Sequence, residues 1–558
     1  MPNLRTLAKT IRIFFAIGFL FLTFTTNAHH TASPYCTAIY LPPPDTSFLN
    51  CIGVPWIDAF NEMHNKISKE YAFTDWRGID WLSLHKTTLD KIVAAGSNEA
   101  AYYQALRDYF SSVHDGHVAI SPKTDEDSKA FVNQQLSANI GGDYGLIITP
   151  TDDGKYIVSY LTTNGSAKEQ GIKLGDEVVS WKNSPITQAI ANEPKTWANE
   201  TVTDQSSGKI YGTMFNPATE AGLQYEQTRL LTQDTIGQTA SITVFRPSTN
   251  ASISATLDAR NDQMQTLNLT NLYAGVDLNY PVTHEILQPS NFGYLKIVEK
   301  LNDSTELATV QAAVTSFVNS HVPDIIIDVR GNIGGDDQMA ASIAGFFYVG
   351  QKKLYESTTY YDSQTGKFVP MPLVSPPVYV VPTTPSYQGQ IIILTNLGTI
   401  SSGEGIPMAL KNQSNVHILS FAPNTHGAFG MSSSFVALSG NSPNNSEIVY
   451  FISYPDGRSL DKNNQIQVDA NASLQGGVAT DIIIPMNAAT AIDTYTNGKD
   501  MALAYAINCL QTSCWAAQSS GSSSRVWETI AEVAAGVAAV TGGVYLAKQK
   551  NATSTSRT

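Results

Sequence analysis

The chain has 558 residues, of which 42% are hydrophobic and 15% are charged, and its formal net charge is −14. This length predicts two to four domains, and the apolar content is sufficient for packed cores and argues against disorder over most of the chain. The acidic balance, without a cluster of Lys and Arg, argues against nucleic-acid binding, because covering phosphates requires a basic face.

The first 28 residues have the pattern of a secretory signal peptide. Basic residues precede an apolar stretch from Ile13 to Phe24, and small residues follow it up to Ala28. The apolar stretch is short for a membrane span. We therefore expect cleavage after Ala28 and export to the periplasm or the extracellular space.

The four cysteines fit an oxidising compartment. They form two sequence-local pairs, Cys36 with Cys51 and Cys509 with Cys514, which is the simplest of the three possible connectivities. By the loop-entropy argument the first bridge would contribute about 3 kcal/mol. A metal site is the weaker interpretation, because no further histidine or cysteine lies at ligand spacing beside either pair. We expect neither a metal nor a cofactor.

Residues 29–135 are predicted to form an N-terminal helical domain. Apolar residues recur at helical spacing at Tyr103, Leu106 and Phe110, which indicates a helix with a buried stripe. This helix leads into Asp115-Gly116-His117, where glycine permits a sharp turn. Taken alone, a histidine that follows a helix is a capping or surface residue.

Residues 136–262 contain short strand patterns bounded by glycines and resemble a PDZ-like domain. The resemblance rests on Gly145-Leu146-Ile147-Ile148, on the strand Tyr156 to Tyr160 and on the glycine turns that follow. Such a domain adds an extended peptide to a sheet edge, so the amides around Gly145 and Leu146 would receive the terminal carboxylate. The alternative is a β domain that serves only as a spacer. The polar stretch 187–235 is predicted to be an insertion.

Residues 263–510 are predicted to form an α/β core around a mainly parallel sheet. Strand patterns near Phe292, Ile325 and Ile391 alternate with helical patterns, which is typical of βαβ units. In such a sheet, ligands bind beyond the carboxyl ends of the strands.

Two loops at these strand ends carry candidate catalytic groups. The run from Ile325 to Arg330 breaks into Gly331-Asn332-Ile333-Gly334-Gly335, whose glycines let backbone N–H groups approach a ligand. The run from Ile391 to Leu394 leads to Thr399-Ile400-Ser401-Ser402-Gly403-Glu404, which places a serine at a strand-to-helix turn. If the two strands are neighbours, the amides of Gly334, Gly335 and Ser402 can converge on an oxyanion beside the Ser401 hydroxyl.

Together with Asp115-Gly116-His117-Val118, these two loops make the chain similar to the S41 family of serine peptidases, which includes the C-terminal processing and tricorn-core proteases. The resemblance covers roughly residues 54–490 and implies an α/β (ClpP/crotonase-like) catalytic core. It implies hydrolysis of a polypeptide substrate through an acyl-enzyme, with Ser401 as nucleophile and His117 as general base.

The sequence departs from the family in two places. The processing-protease branch uses a lysine as base, and the corresponding loop Thr425-His426-Gly427-Ala428-Phe429-Gly430 has none. This favours a histidine base and makes His426 a rival of His117. A glutamate expected shortly before Gly476 is also missing, which leaves open the group that orients the base.

Two alternatives stay open in the sequence. Glu404 could accept a hydrogen bond from a substrate amine, support the site, or be a solvated carboxylate at the start of a helix. The losses relative to the family also allow a catalytically inactive, secreted peptide-binding protein on the same fold.

Residues 511–558 form a predicted C-terminal tail. Its segment 526–547 is largely apolar and is followed by Lys548 and Lys550, so it could span a membrane and tether the protein. Its many Ala and Gly residues and Glu532 fit an amphipathic or partner-binding helix equally well. The sequence does not indicate an oligomeric state.

Overall fold

The computed structural model describes most of the chain between residues 35 and 518. The described residues are 35–40, 47–194, 196–197, 201–204, 209–212, 215–299, 304–373, 375–432, 434–441 and 447–518. The predicted signal peptide and the apolar segment 526–547 lie outside these ranges. Within them, no helix is both long enough and apolar enough to cross a membrane.

The N-terminal part is mainly helical, and its apolar stripe is buried as the periodicity predicts. Tyr103, Leu106 and Phe110 are all at most 2% exposed. The side chain of Asn98 accepts from the Ala101 N–H and begins the helix that carries them. The elements are β1 (Thr37–Tyr40), β2 (Ser47–Cys51), α1 (Trp56–Glu70), α2 (Thr74–Arg77), α3 (Trp81–Ala95), α4 (Glu99–Ser111), β3 (Ala119–Pro122) and α5 (Glu126–Ile140).

The middle part is built on a six-stranded antiparallel sheet with its own apolar core. Its elements are β4 (Gly142–Asp143), β5 (Leu146–Pro150), β6 (Tyr156–Leu161), α6 (Ser166–Glu169), β7 (Glu177–Trp181), β8 (Ser184–Pro185), α7 (Ile186–Ala191), β9 (Thr201–Asp204), β10 (Lys209–Gly212), α8 (Glu220–Leu230), β11 (Gln233–Asp234), β12 (Thr239–Arg246) and β13 (Ala251–Asp258). The sheet order is β13, β12, β7, β6, β5, with β8 paired to β7, so β5 is an edge strand.

The remaining elements form the α/β core and the segments around it. They are α9 (Gln265–Leu269), β14 (Val282–Leu287), β15 (Phe292–Ile297), α10 (Ser304–Asn319), β16 (Asp324–Asp328), α11 (Asp337–Ala344), β17 (Lys353–Asp362), β18 (Lys367–Pro370), β19 (Val378–Val380), β20 (Gln390–Leu394), α12 (Ser402–Leu410), β21 (Val416–Ser420), β22 (Ser434–Asn441), β23 (Glu447–Tyr454), β24 (Gly457–Leu460), β25 (Ile482–Ile483), α13 (Ala488–Tyr495), α14 (Met501–Thr512) and α15 (Cys514–Gln518).

The core sheet is mainly parallel, as predicted. Its order is β14, β15, β16, β20, β21, β25, and only β14 with β15 is antiparallel. Alternate residues of β16 pack into different clusters, Ile325 and Ile327 beside α10 to α12, and Ile326 beside α14. Burial on both faces explains why this strand is apolar throughout. β16 and β20 are direct neighbours, so the two loops singled out in the sequence meet at one sheet edge.

A second sheet joins strands from the N-terminal part to strands that follow β21. Its order is β1, β2, β22, β23, β3, in which β2 pairs parallel to β22 and β3 pairs antiparallel to β23. The N-terminal helices pack on this sheet. The segment before β3, which carries His117, is therefore fixed to strands that lie between β21 and β25 in the chain.

Both predicted disulfides are present. Cys36 is bonded to Cys51 with their Cα atoms 4.6 Å apart, and Cys509 is bonded to Cys514 with a Cα separation of 4.8 Å. These bonds fit an oxidising compartment.

Candidate active site

Ser401 lies at the turn between β20 and α12, at the carboxyl edge of the core sheet. Its backbone has φ 58° and ψ −140°, a conformation that residues with a side chain rarely adopt. The Ser401 N–H donates to Ala428 O at 3.0 Å, and Ser401 is half-buried. Such a sharp strand-to-helix turn is the arrangement that presents a serine hydroxyl to a substrate.

The glycine loop after β16 packs directly against this turn. A Cβ atom at Gly334 would lie 2.7 Å from Ser401 Cβ and 3.1 Å from its Oγ, so no larger residue fits there. The Ser402 hydroxyl donates to Gly335 O at 3.1 Å and to Asp337 Oδ1 at 2.7 Å. The structure therefore brings together Ser401, Ser402, Gly334 and Gly335.

The amides of the two glycines have different surroundings. The Gly334 N–H donates to Asn332 Oδ1 at 2.9 Å. The Gly335 N–H has no acceptor among the described residues, and Gly335 is exposed. The Gly334 N–H is thus already engaged by Asn332.

His117 lies in the turn before β3, which reaches the same region through Gly116. A Cβ atom at Gly116 would lie 2.5 Å from Ile400 Cδ1, so this turn contacts the residue before Ser401. The His117 N–H donates to Asp115 Oδ1 at 2.9 Å, and the ring Nδ1 is 3.8 Å from that oxygen. The side chain is 17% exposed. Between these two described residues, no hydrogen bond links the ring to the Ser401 hydroxyl.

Burial lowers the pKa of His117 below its ordinary value of 6.5, while Asp115 opposes the shift. The ring is consequently neutral at neutral pH, as a general base must be.

A buried chain of charges stands behind His117. Arg77 Nε lies 3.4 Å from Asp115 Oδ2, and Arg77 Nη2 lies 3.4 Å from Asp469 Oδ1. The Tyr71 hydroxyl donates to Asp115 Oδ2 at 2.7 Å. Burial would raise the pKa of Asp115, but Arg77 and His117 outweigh it and hold the pKa below its usual value. Burial raises the pKa of Asp469 to about 7.

No sequence motif predicts this network. Arg77 and Asp469 are 392 positions apart, and neither lies in a motif that the family resemblance rests on. Only the packing of the N-terminal helices on the core could reveal that Asp115, which holds the backbone of His117, is itself held by Arg77.

His426, the rival base, has both ring nitrogens occupied. Nδ1 lies 3.0 Å from Leu397 O and Nε2 lies 3.1 Å from Asn216 O. The residue is 1% exposed, and burial lowers its pKa to about 4. Only one nitrogen of the neutral ring carries a proton to donate, but both nitrogens face backbone carbonyl oxygens, so neither is open to the serine proton.

Glu404 is fully buried, so it is not a solvated carboxylate at the helix start. It accepts from the Thr425 hydroxyl, from the Gly427 N–H at 2.9 Å and from the Ala428 N–H at 3.2 Å. Burial raises the pKa of Glu404 to about 8, although these donors favour the charged form. Because Ala428 O receives the Ser401 N–H, Glu404 fixes the loop that holds the candidate nucleophile.

Gly145 and Leu146 lie at the start of the edge strand β5. Gly145 has φ 85° and donates its N–H to the Asp143 carboxylate, while Leu146 is fully buried. A Cβ atom at Gly145 would lie 2.6 Å from Gly165 Cα, so glycine is required. No described contact links these residues to Ser401.

Two other acidic groups near the site are structural. Asp328 and Arg330 form an ion pair at 2.6 Å, and Arg330 also binds Asp500 at 2.7 Å, which ties β16 to α14.

In the part of the chain that the structure describes, no three His, Cys, Asp or Glu side chains are placed to hold a metal ion.

Comparison with known proteins supports the resemblance. Residues 291–472 match the sequence model of Peptidase family S41. The structure is similar to mature CPAF complexed with lactacystin, with a TM-score of 0.50 and 13% identity over 79% of this chain and 96% of that chain. It also matches the photosystem II D1 C-terminal processing protease, with a TM-score of 0.33 and 16% identity over 77% and 93% of the two chains.

A putative S41 protease from Bacteroides fragilis has a TM-score of 0.33 and 15% identity, over 82% of this chain and 97% of that chain. No curated protein matches the sequence. At these identities the CPAF similarity establishes a common fold. The family match covers Ser401 and Gly334 but ends before Gly476 and does not include His117.

Proposed function

We propose that this chain, whose residues 291–472 match Peptidase family S41 and whose first 28 residues have the pattern of a signal peptide, is an exported serine endopeptidase. Ser401 is the nucleophile, His117 is the general base, and the Gly335 and Ser402 amides bind the oxyanion. The observation that carries the proposal is the strained Ser401 turn packed against the glycine loop.

In the proposed reaction the Ser401 Oγ attacks the peptide carbonyl carbon while its proton passes to His117. The carbonyl oxygen becomes an oxyanion beside Gly335. The tetrahedral intermediate then collapses, the C–N bond breaks, and His117 gives its proton to the leaving amine. Water hydrolyses the acyl-enzyme by the same steps, and each oxyanion donor contributes about 2.7 to 4 kcal/mol to the transition state.

The proposed reaction needs a hydrogen bond between the His117 ring and the Ser401 hydroxyl. The His117 ring does not bind the Ser401 hydroxyl, and catalytic hydrogen bonds of unliganded sites often form only with substrate present. To form this hydrogen bond, the His117 ring must rotate. Its backbone stays in place, because Asp115 binds the His117 N–H and Arg77 binds the turn around it.

Acylation tests the nucleophile. A fluorophosphonate probe should label the wild type and should fail to label Ser401→Ala, and only the wild type should hydrolyse a fluorogenic peptide library. Ser420→Ala is the matched control, since Ser420 ends the neighbouring strand β21 at the same sheet edge. If folded wild type is neither labelled nor active, the inactive peptide-binding protein becomes the better account.

The base is tested by His117→Ala beside His426→Ala. The expected result is a loss of kcat of about 10²-fold or more for His117→Ala. His426→Ala should retain far more turnover for an equal fraction of folded protein. The opposite order would assign the base to His426.

Export is part of the same proposal. The protein secreted by the native host should begin at His29, directly after the predicted cleavage site, and N-terminal sequencing checks this. An intact Met1 on the accumulated protein would contradict export.

The middle β part is proposed to be PDZ-like and to select substrates. Two features support this: β5 is an edge strand, and a glycine turn precedes it at Gly145. Inactive Ser401→Ala should bind peptides that end in a free carboxylate more tightly than the same peptides with an amidated end. Equal binding would favour a spacer.

A further inference from the structure

Asn332 stands between the two loops of the proposed active site. Its side chain is fully buried. Oδ1 accepts the Gly334 N–H at 2.9 Å, and Nδ2 donates to Ile297 O at 2.8 Å, at the end of β15. Its backbone O accepts the Ile400 N–H at 3.0 Å, directly before Ser401. One residue thus contacts a neighbouring strand, the glycine loop and the nucleophile turn.

The helix that follows Ser401 packs on the same residue. A Cβ atom at Gly403 would lie 2.5 Å from Asn332 O and 2.8 Å from Asn332 Oδ1. The position of the Asn332 amide group is therefore determined from several sides. Its Oδ1 atom is held where it takes the Gly334 N–H.

We propose that Asn332 is the positioning residue of the oxyanion site, an inference that rests on the proposed function. By binding the Gly334 N–H, it removes that amide from the substrate side and fixes the loop that carries the next amide, the Gly335 N–H, which binds the oxyanion in the proposed reaction. Gly334 then serves by its lack of a side chain, which allows the loop to touch Ser401. Gly335 supplies the hydrogen bond.

A neighbouring asparagine offers a matched control. Asn396 Oδ1 accepts the N–H groups of Gly331 at 2.9 Å and Gly398 at 3.0 Å, and its Nδ2 donates to Leu272 O at 3.0 Å. It links the same two loops and makes the same kinds of bond. It does not hold Gly334, so loss of loop structure alone should affect both asparagine variants alike.

Asn332→Ala should lower kcat about 100-fold, the typical effect of impairing an oxyanion donor, with KM nearly unchanged. Binding of a peptide boronate, whose tetrahedral adduct occupies the oxyanion site, should weaken in parallel. Asn396→Ala should show a similar fall in melting temperature and a much smaller fall in kcat. Equal losses of kcat in the two variants would overturn the positioning role.

Replacement of Gly334 by glycolate exchanges its N–H for an ester oxygen and so removes the hydrogen bond to Asn332 without changing a side chain. In the wild-type background this change should lower kcat, which tests the proposal even if Asn332→Ala folds poorly. In the Asn332→Ala background it should have no further effect. A further loss there would show that Gly334 itself donates to the oxyanion, and the proposal would be wrong.

The same measurements separate this inference from the proposed function. If wild type and Ser401→Ala hydrolyse peptides equally poorly, the serine peptidase proposal fails and the role of Asn332 fails with it. If wild type is active and depends on Ser401, but Asn332→Ala keeps its kcat, only the inference fails.

Discussion

Ser401 is held in its unusual backbone conformation by bonds on both sides. Its N–H binds Ala428 O at 3.0 Å, and its carbonyl receives the Glu404 N–H at 2.8 Å. A residue with a side chain in such a conformation costs about 1 to 3 kcal/mol, and glycine avoids most of this cost.

Replacing Ser401 therefore predicts a difference in stability between two inactive variants. Ser401→Gly should have a free energy of unfolding about 1 kcal/mol higher than Ser401→Ala, because glycine adopts φ 58° without strain. Denaturant unfolding of both variants checks this. A less stable Ser401→Gly would mean that the turn is not strained in solution.

His426 gives the second prediction at this scale, a loss of stability in acid. Burial lowers its pKa to about 4 in the folded protein, against an ordinary value of 6.5. The unfolded chain thus binds the proton first, so stability falls as the pH drops from about 6.5 to about 4, by about 3 kcal/mol from this group.

The comparison variant is His426→Leu, which does not titrate. The free energy of unfolding, measured between pH 7 and pH 4, should decline by about 3 kcal/mol less in His426→Leu than in wild type. Parallel declines in the two proteins would show that His426 has no depressed pKa.

Among the elements, the pair of neighbouring strands β16 and β20 determines where the site forms. Their parallel register sets Asp328 beside Leu394, so the glycine loop and the Ser401 turn leave the sheet at the same level. The helix α12 then begins at Ser402, where helix N-terminal amides favour negative charge. The site is thus a consequence of sheet order and register.

The strand pair β1 and β2 gives the prediction at the scale of elements. It is closed by the Cys36–Cys51 bond, and β2 pairs with β22. The double variant Cys36→Ser with Cys51→Ser should lose about 3 kcal/mol of unfolding free energy, the value for a loop of this length. Comparing denaturant midpoints of the variant and the oxidised wild type tests this. An unchanged midpoint would mean that β1 and β2 separate before the rest of the protein unfolds, so that the bond does not stabilise the remaining fold.

At the scale of the whole molecule, the N-terminal part and the core share one sheet. The N-terminal helices cover one face of β22 and β23. Four side chains of that face are fully buried: Val436, Leu438, Tyr450 and Ile452. The predicted domain limits stay predictions, but these strands cannot be buried without residues 35–140.

Residues 263–510 expressed alone should therefore be poorly soluble and inactive, because they expose those side chains and lack His117. Adding residues 29–262 as a separate chain should restore soluble protein and turnover if the two parts reassemble. Size-exclusion chromatography and fluorophosphonate labelling measure both outcomes. A soluble, active fragment 263–510 would contradict the shared core and the role of His117.

The sequence by itself determined the features that depend on local pattern. Continuous apolar runs identified β16 and β20, glycines and small hydroxyl residues marked the loops that follow them, and proximity along the chain paired the cysteines. The family resemblance then supplied roles for Ser401 and His117, which stay proposals.

The tertiary structure alone decided the features that depend on contacts between distant residues. Burial of Arg77 between Asp115 and Asp469, occupation of both His426 nitrogens, and capture of the Gly334 amide by Asn332 all require atoms fixed to within about 3.5 Å. Sequence spacing carries no such information, because hydrogen bonds and desolvation depend on which groups folding brings together and which it excludes from water.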